Sequence, residues 1–398
     1  MREIVTLQLG HSASFVGTHL WNALDIADPN VVDSSVLIRS GFDADSGVAT
    51  YAPRLVIVDL KGTCILGTLK RINQLYESEQ DSQFVAWNGK VDVRKQEPVE
   101  KNEYLTYLDQ DDQADHDDNH SDNHNVRLNP QQQKPPSNPP TAKQFSKVLD
   151  SVVHVWSDFN SMFYHPRSVL ELPSYSHNDN VTPFAIFNQG SEIWDSDRDL
   201  QEDILDNRIR FFLEECDNPQ GIQVLSDVSN GFSGFTASCL ESLREDVGKL
   251  SITVFGVSDD CDGVINSVQN FNEALALANI SKSASVYIPL QSRYQWTAAL
   301  AVAIDTITLP MRLNKSSTSM GSFMAPLIAT GPLGTLASST PFPFDSNINA
   351  IKRMFAKTIG GGNFDDERVD WIHDDTFGDA FDLVFSRFIF NCWCTMYY

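Results

Sequence analysis

The first twenty-one residues constrain the fold of this chain more than any other stretch. Met1 to Gly10 is apolar enough to read as a buried strand, and it runs through a short loop bounded by Gly10 and Gly17 into a helix that reaches Trp21. Such a strand-to-helix corner opens many nucleotide-binding α/β units. Backbone N–H groups at the start of the helix, aided by its dipole, form a ready cradle for phosphate. The residues between the glycines include the bulky His11 and Phe15, so the loop satisfies neither G-x-G-x-x-G nor the lysine-bearing Walker pattern. On these residues alone, an ordinary corner and a ligand loop are both open.

The same alternation recurs downstream. Ala52 to Leu60 is a continuous apolar run ending in Asp59 and Leu60, followed by the turn Lys61-Gly62-Thr63. Ser146 to Trp156 and Arg198 to Glu215 have helical spacing, with an irregular stretch between them. Strands are expected at 221–228, 250–256 and 284–289, and helices at 235–245, 271–280 and 296–309. Repeated strand, loop, helix order predicts an α/β fold: a parallel sheet with helices on both faces.

Residues 97–144 break this pattern. Asp109, Asp111, Asp112, Asp115, Asp117, Asp118 and Asp122 crowd together ahead of a Gln- and Pro-rich run, a composition unable to bury enough apolar surface to fold. His116, His120 and His124 recur every fourth residue within it, but a solvated acidic linker explains them and no metal site is expected. Four segments follow: 1–96, the acidic insertion 97–144, 145–312 completing the first fold, and 313–398. The Ser-, Thr-, Gly- and Pro-rich stretch 313–344 suits loops and edges of an incomplete second α+β domain, and the ending at Tyr398 reads as a truncated or alternatively spliced product.

Composition excludes several classes. A net charge of −24, with no basic cluster, argues against nucleic-acid binding. No stretch has the apolar length of a membrane span, and six scattered cysteines give no disulfide framework, which implies a reducing compartment. Neither G-x-S-x-G nor H-E-x-x-H occurs, so hydrolase chemistry has no anchor.

Two further positions bear on ligand binding. The stretch Ser229-Asn-Gly-Phe-Ser-Gly234 follows a strand and opens a helix; it is either a phosphate loop or a tight turn whose helix is N-capped by Ser233. Asp59, at a strand end, either holds a metal or ribose or caps the next turn.

Taken in order, these segments resemble the tubulin and FtsZ superfamily, and within it the divergent Misato/DML1 branch. Met1-Arg-Glu-Ile-Val with Gly10 to Gly17 and Trp21 is similar to the tubulin amino terminus and first phosphate loop. Pro53 to Leu60 with Gly62-Thr63 resembles the second strand and loop, and Asp217 to Gln223 with Gly234-Phe-Thr236 and Asp246 to Lys249 the surroundings of the signature loop. Phe271-Asn272 resembles the later Tyr-Asn. Val5 to Gly10, Phe15 to His19 and Asn230 to Gly234 point to the Misato branch.

The resemblance implies a tubulin-like fold with Gly10, His11, Ser12, Gly17, Asp59, Gly62, Thr63, Gly231, Ser233, Gly234 and Asn272 around a degenerate nucleotide site. It also shows where the chain departs. Val228 to Gly234 replaces a glycine run with side chains, Lys61 stands where tubulins carry a magnesium-associated carboxylate, and Gln291 replaces a base-contacting asparagine. The stretch matching the loop that completes a neighbour's hydrolytic site, 316–344, holds no Asp or Glu. General-base help from such a carboxylate is worth roughly 10²–10⁴ in rate, so catalytic residues, metal and cofactor are expected to be absent. The implied role is a non-catalytic protein in mitochondrial distribution and morphology, in the cytoplasm and on the outer mitochondrial surface, with cytoskeletal or outer-membrane proteins as partners. The alternative is a GTP-binding cytoskeletal switch or filament protein with weak GTPase activity, holding GTP or GDP weakly.

Overall fold

The protein is described by a computed structural model covering residues 2–25, 30–42, 49–63, 153–177, 179, 181–259, 266–292, 297–314 and 318–328. The acidic insertion 97–144, its three histidines, and everything beyond 328 lie outside the described residues.

Six strands form one parallel sheet: β1 (Glu3–Leu9), β4 (Leu55–Lys61), β5 (Val169–Ser176), β6 (Pro219–Asp227), β7 (Ser251–Asp259) and β8 (Val286–Ser292), in the order β5-β4-β1-β6-β7-β8. The first strand therefore lies inside the sheet, flanked by β4 and β6, whose carboxyl ends meet its own. A separate antiparallel ladder pairs β2 (Ile38–Phe42) with β3 (Ala49–Pro53).

Helices cover both faces, as the alternation predicted. Each strand points alternate residues to opposite sides. Ile4 faces a core with α1 (His11–Asp25), α6 (Thr297–Arg312) and α7 (Met320–Ile328), while Val5, Leu7 and Leu9 face another. That second layer contains α2 (Phe187–Ser196), a helical body α3 (Arg198–Glu202, π-helical Asp203–Arg210, Phe211–Glu214), α4 (Phe232–Val247) and α5 (Ser267–Ser283). The two cores hold Trp21 and Trp156 on one side and Trp194 on the other, all fully buried.

Several local expectations need correction. The helix expected over 146–156 is absent from its described end: Val155 is extended and a 3-10 turn follows at Trp156–Phe159. The irregular stretch between the two expected helices contains both β5 and α2. Within 313–344, α7 is a helix whose Met320 and Met324 are buried in the same core as Ile304, so this part belongs to the sheet's own packing. Gly17 bounds no loop. The helix begins at His11, directly after Gly10, and Gly17 lies inside it.

Candidate functional site

The carboxyl ends of β1, β4 and β6 bring Gly10, His11, Ser12 and Asp59 around one corner, with Gly231, Ser233 and Gly234 in the adjoining loop after β6. Gly10 adopts a positive φ of 110°, and its N–H donates to Val58 O of β4 (3.0 Å), which turns the chain at once into α1. The first turn of α1 thus points its free N–H groups across the ends of the neighbouring strands. In a nucleotide-binding protein this is where a phosphate sits.

Here Asp227, the last residue of β6, sits there. Its carboxylate accepts from Ala13 N (2.7 Å, Oδ1) and Ser12 N (3.2 Å, Oδ2), and also from Asn230 Nδ2 (3.2 Å). A Cβ placed on Gly10 would meet the Asp227 Cγ at 2.5 Å, so the glycine is what lets this carboxylate approach. The group is fully buried. Burial pushes its carboxyl up to about 7, Asp59 and its charge add to the rise, and the Ala13 and Asn230 donors with His11 pull the other way.

Asp59 is buried and similarly engaged. Its oxygens accept from Leu60 N (2.8 Å) and Trp156 Nε1 (3.1 Å), and Oδ2 lies 3.5 Å from His11 Nδ1. The His11 ring packs against His177 at 4.1 Å between centroids. Burial and His11 lower the His177 pKa, while Asp59 opposes. Glu171, paired with Asp59 across β4 and β5, is raised by burial and by Asp59, with Lys61 opposing. Lys61 itself is exposed. Among the described residues, no group of three or more His, Cys, Asp or Glu is arranged to hold a metal ion.

The second loop is closed differently. Gly231 N donates to Phe184 O (3.2 Å), Phe232 N to Asn230 Oδ1 (2.9 Å), and Ser233 N to Asn230 O (3.1 Å). Ser233 therefore does not cap the helix. It lies inside the first turn with its hydroxyl on Asn230 O; Gly231 is the N-cap, and Asn230 Oδ1, one residue earlier, accepts the first helical N–H, that of Phe232. The glycines serve helix packing: a Cβ on Gly234 would stand 1.9 Å from Phe187 O, and one on Gly190 of α2 1.8 Å from Gly231 O. Phe232 is buried edge-on against Phe184 at 5.1 Å, away in the second core. Asn272 in α5 donates to Ala185 O (2.7 Å) and Ser229 O (2.9 Å) and accepts from Phe187 N (3.0 Å), fastening the loop to α2 and α5.

Three expected residues stand apart from the corner. Gly17 faces Gln8, whose side chain would meet a Cβ there at 1.8 Å. Gly62 is an exposed turn at φ 88°, and Thr63 is buried with its hydroxyl on Leu60 O. The residue that sequence reasoning missed is Asp227. A signal existed: like Asp59, it is a carboxylate ending a buried strand just before a glycine-bearing turn.

The Ser12 and Ala13 amides at this corner are already taken, and an anion would face the buried Asp227 carboxyl group. The residues present do not fit a nucleotide's phosphates.

The family model of the Misato Segment II tubulin-like domain matches residues 2–110, and that of the Tubulin domain matches 146–313. Protein DML1 of Gibberella zeae is 32% identical over 384 residues, covering 88% of this chain and 70% of that protein. The chain belongs to the Misato/DML1 family of tubulin-like proteins. Protein misato homolog 1 of Danio rerio is 32% identical over 385 residues (86% of this chain, 64% of the relative), and Protein dml1 of Aspergillus oryzae 32% over 341 residues (79% and 62%). The chain thus spans 62 to 70% of the length of these Misato/DML1 relatives.

Proposed function

We propose that this chain is a tubulin-like protein that hydrolyses no nucleotide and works through contacts with other proteins. The observation that carries the reading is the Asp227 carboxylate on the Ser12 and Ala13 amides, in the place of a phosphate. Two supports stand beside it. The second loop is bonded to Phe184 and Asn272, and the sequence matching the hydrolytic loop has no carboxylate. The mitochondrial setting rests on the family resemblance, as do the outer surface and cytoplasm as its locations. No helix among the described residues is long and apolar enough to cross a membrane, which is consistent with protein partners as the means of attachment.

The test is direct. The protein is purified without added nucleotide, denatured, and the supernatant analysed for guanine nucleotide; a fluorescent GTP analogue is then titrated against the native protein. No released nucleotide and no saturable signal are expected. Stoichiometric GTP or GDP would overturn the reading and favour the GTP-binding switch, with Gly10, Ser12 and Asp59 around the nucleotide.

A further inference from the structure

Helix α5 is built inside out. It buries Asn272, Ala276, Ile280 and Ser283, mostly small or polar residues, and exposes Val268 (44%), Phe271 (70%), Leu275 (40%) and Leu277 (38%). Val268, Phe271 and Leu275 follow one another at three- and four-residue steps, so they share a line along the helix. Ile186, half exposed, extends this patch, because Asn272 holds Ala185 and Phe187 on either side of it. A surface helix ordinarily turns its large apolar residues inward. A run of exposed apolar residues of this size marks a place where another surface lies.

Charge says what kind of surface. The outward line of α5 carries no charge until Lys282, while α4, packed directly against it, presents the exposed Glu241 and Glu245 beside Arg244, whose guanidinium is spent on the Ser283, Gly248 and Leu250 carbonyls. The chain as a whole carries −24, so a second copy or an anionic lipid surface would be repelled. We infer that the α5 face, with the α4 glutamates beside it, docks a helix of a partner protein that is apolar on one side and basic along its flanks. Phe271 and Leu275 supply the apolar contact and Glu241 and Glu245 the orientation.

This inference names a partner for the interaction reading above, and rests on it, but nucleotide binding tests that reading while peptide binding tests this one. The probe is a fluorescein-labelled amphipathic helical peptide of leucine and lysine, with two controls: lysine replaced by glutamate, and the same residues in scrambled order. Anisotropy with the whole chain is expected to show saturable binding of the first peptide only. Phe271→Ser and Leu275→Ser, which keep the charge, should each weaken it about tenfold. Glu241→Gln with Glu245→Gln should weaken it and flatten its salt dependence. All four residues are exposed, so thermal midpoints should hold, and the glutamate pair tests the proposal by itself if a serine variant unfolds. Equal binding by the serine variants would mean that net charge alone attracts the peptide, and would overturn the inference. So would equal binding of the glutamate peptide, or a dimer in sedimentation that Phe271→Ser dissolves.

Discussion

The two loops at the carboxyl ends of the central strands are shut by opposite means. At the first, a single carboxylate reaches across from the neighbouring strand onto the free amides of α1. At the second, a whole helix crosses at glycine contact, and the amides are spent on Asn230 and Phe184. The first closure mimics an anion and depends on one side chain. The second is ordinary close packing, distributed over three helices, so that no single polar substitution can reopen it.

Breaking the second closure should have the largest effect. Gly234→Val forces a side chain onto Phe187 O, which belongs to the backbone of α2, and should cost about 3 kcal/mol or more. Urea midpoints measure this; an unchanged midpoint would show that the α2–α4 crossing is not what holds the loop. Asn272→Ala strands two carbonyls and one N–H and should cost about 2 to 3 kcal/mol by the same measurement.

The first closure should yield more gently and with a gain. Asp227→Asn keeps one acceptor but turns an NH2 group toward a donor, a cost partly offset by removing a charge that burial disfavours, so the net loss at neutral pH should be only about 1 to 2 kcal/mol. In exchange, inorganic phosphate should raise the thermal midpoint of the variant and not of the parent. No phosphate effect in the variant would mean that the corner is not a masked anion site.

The pH dependence separates Asp227 from the histidines. Its folded pKa is raised to about 7, above the unfolded value, so its contribution is full at acid pH and declines as pH climbs to about 7. His19 and His165 are lowered by burial to about 4, so theirs is full above the unfolded histidine value and is lost as pH falls toward 4. Denaturation across pH should therefore show the stability gap between parent and Asp227→Asn narrowing from pH 5 to 8, and His19→Gln flattening the acid limb. The smallest effect is at Asn230→Ala, about 1 kcal/mol for a lost cap.

How much of this could be read from the sequence depends on periodicity. The strands β1, β4, β6, β7 and β8 and the helices α1, α4, α5 and α6 carry apolar runs or helical spacing, and all emerge near their expected places. The edge strand β5 does not: Val-Leu-Glu-Leu-Pro-Ser-Tyr-Ser buries only Leu172 fully and contains a proline. Helix α2 buries only Gly190 and Trp194, too few to mark a stripe, yet it is this helix that closes the second loop. Asp227 is legible as a strand-end carboxylate, like Asp59, but its partners in α1 lie 214 and 215 residues away, and no local pattern announces a contact of that range.

The outer strands of the sheet share a detail with consequences for crowded conditions. Pro173 interrupts β5, where the register with β4 slips before Lys61, and Pro289 sits midway along β8. A proline offers no N–H to an incoming chain, so neither margin presents an unbroken row of donors. Among the described strands, the sheet therefore offers no unbroken edge along which a further strand could add.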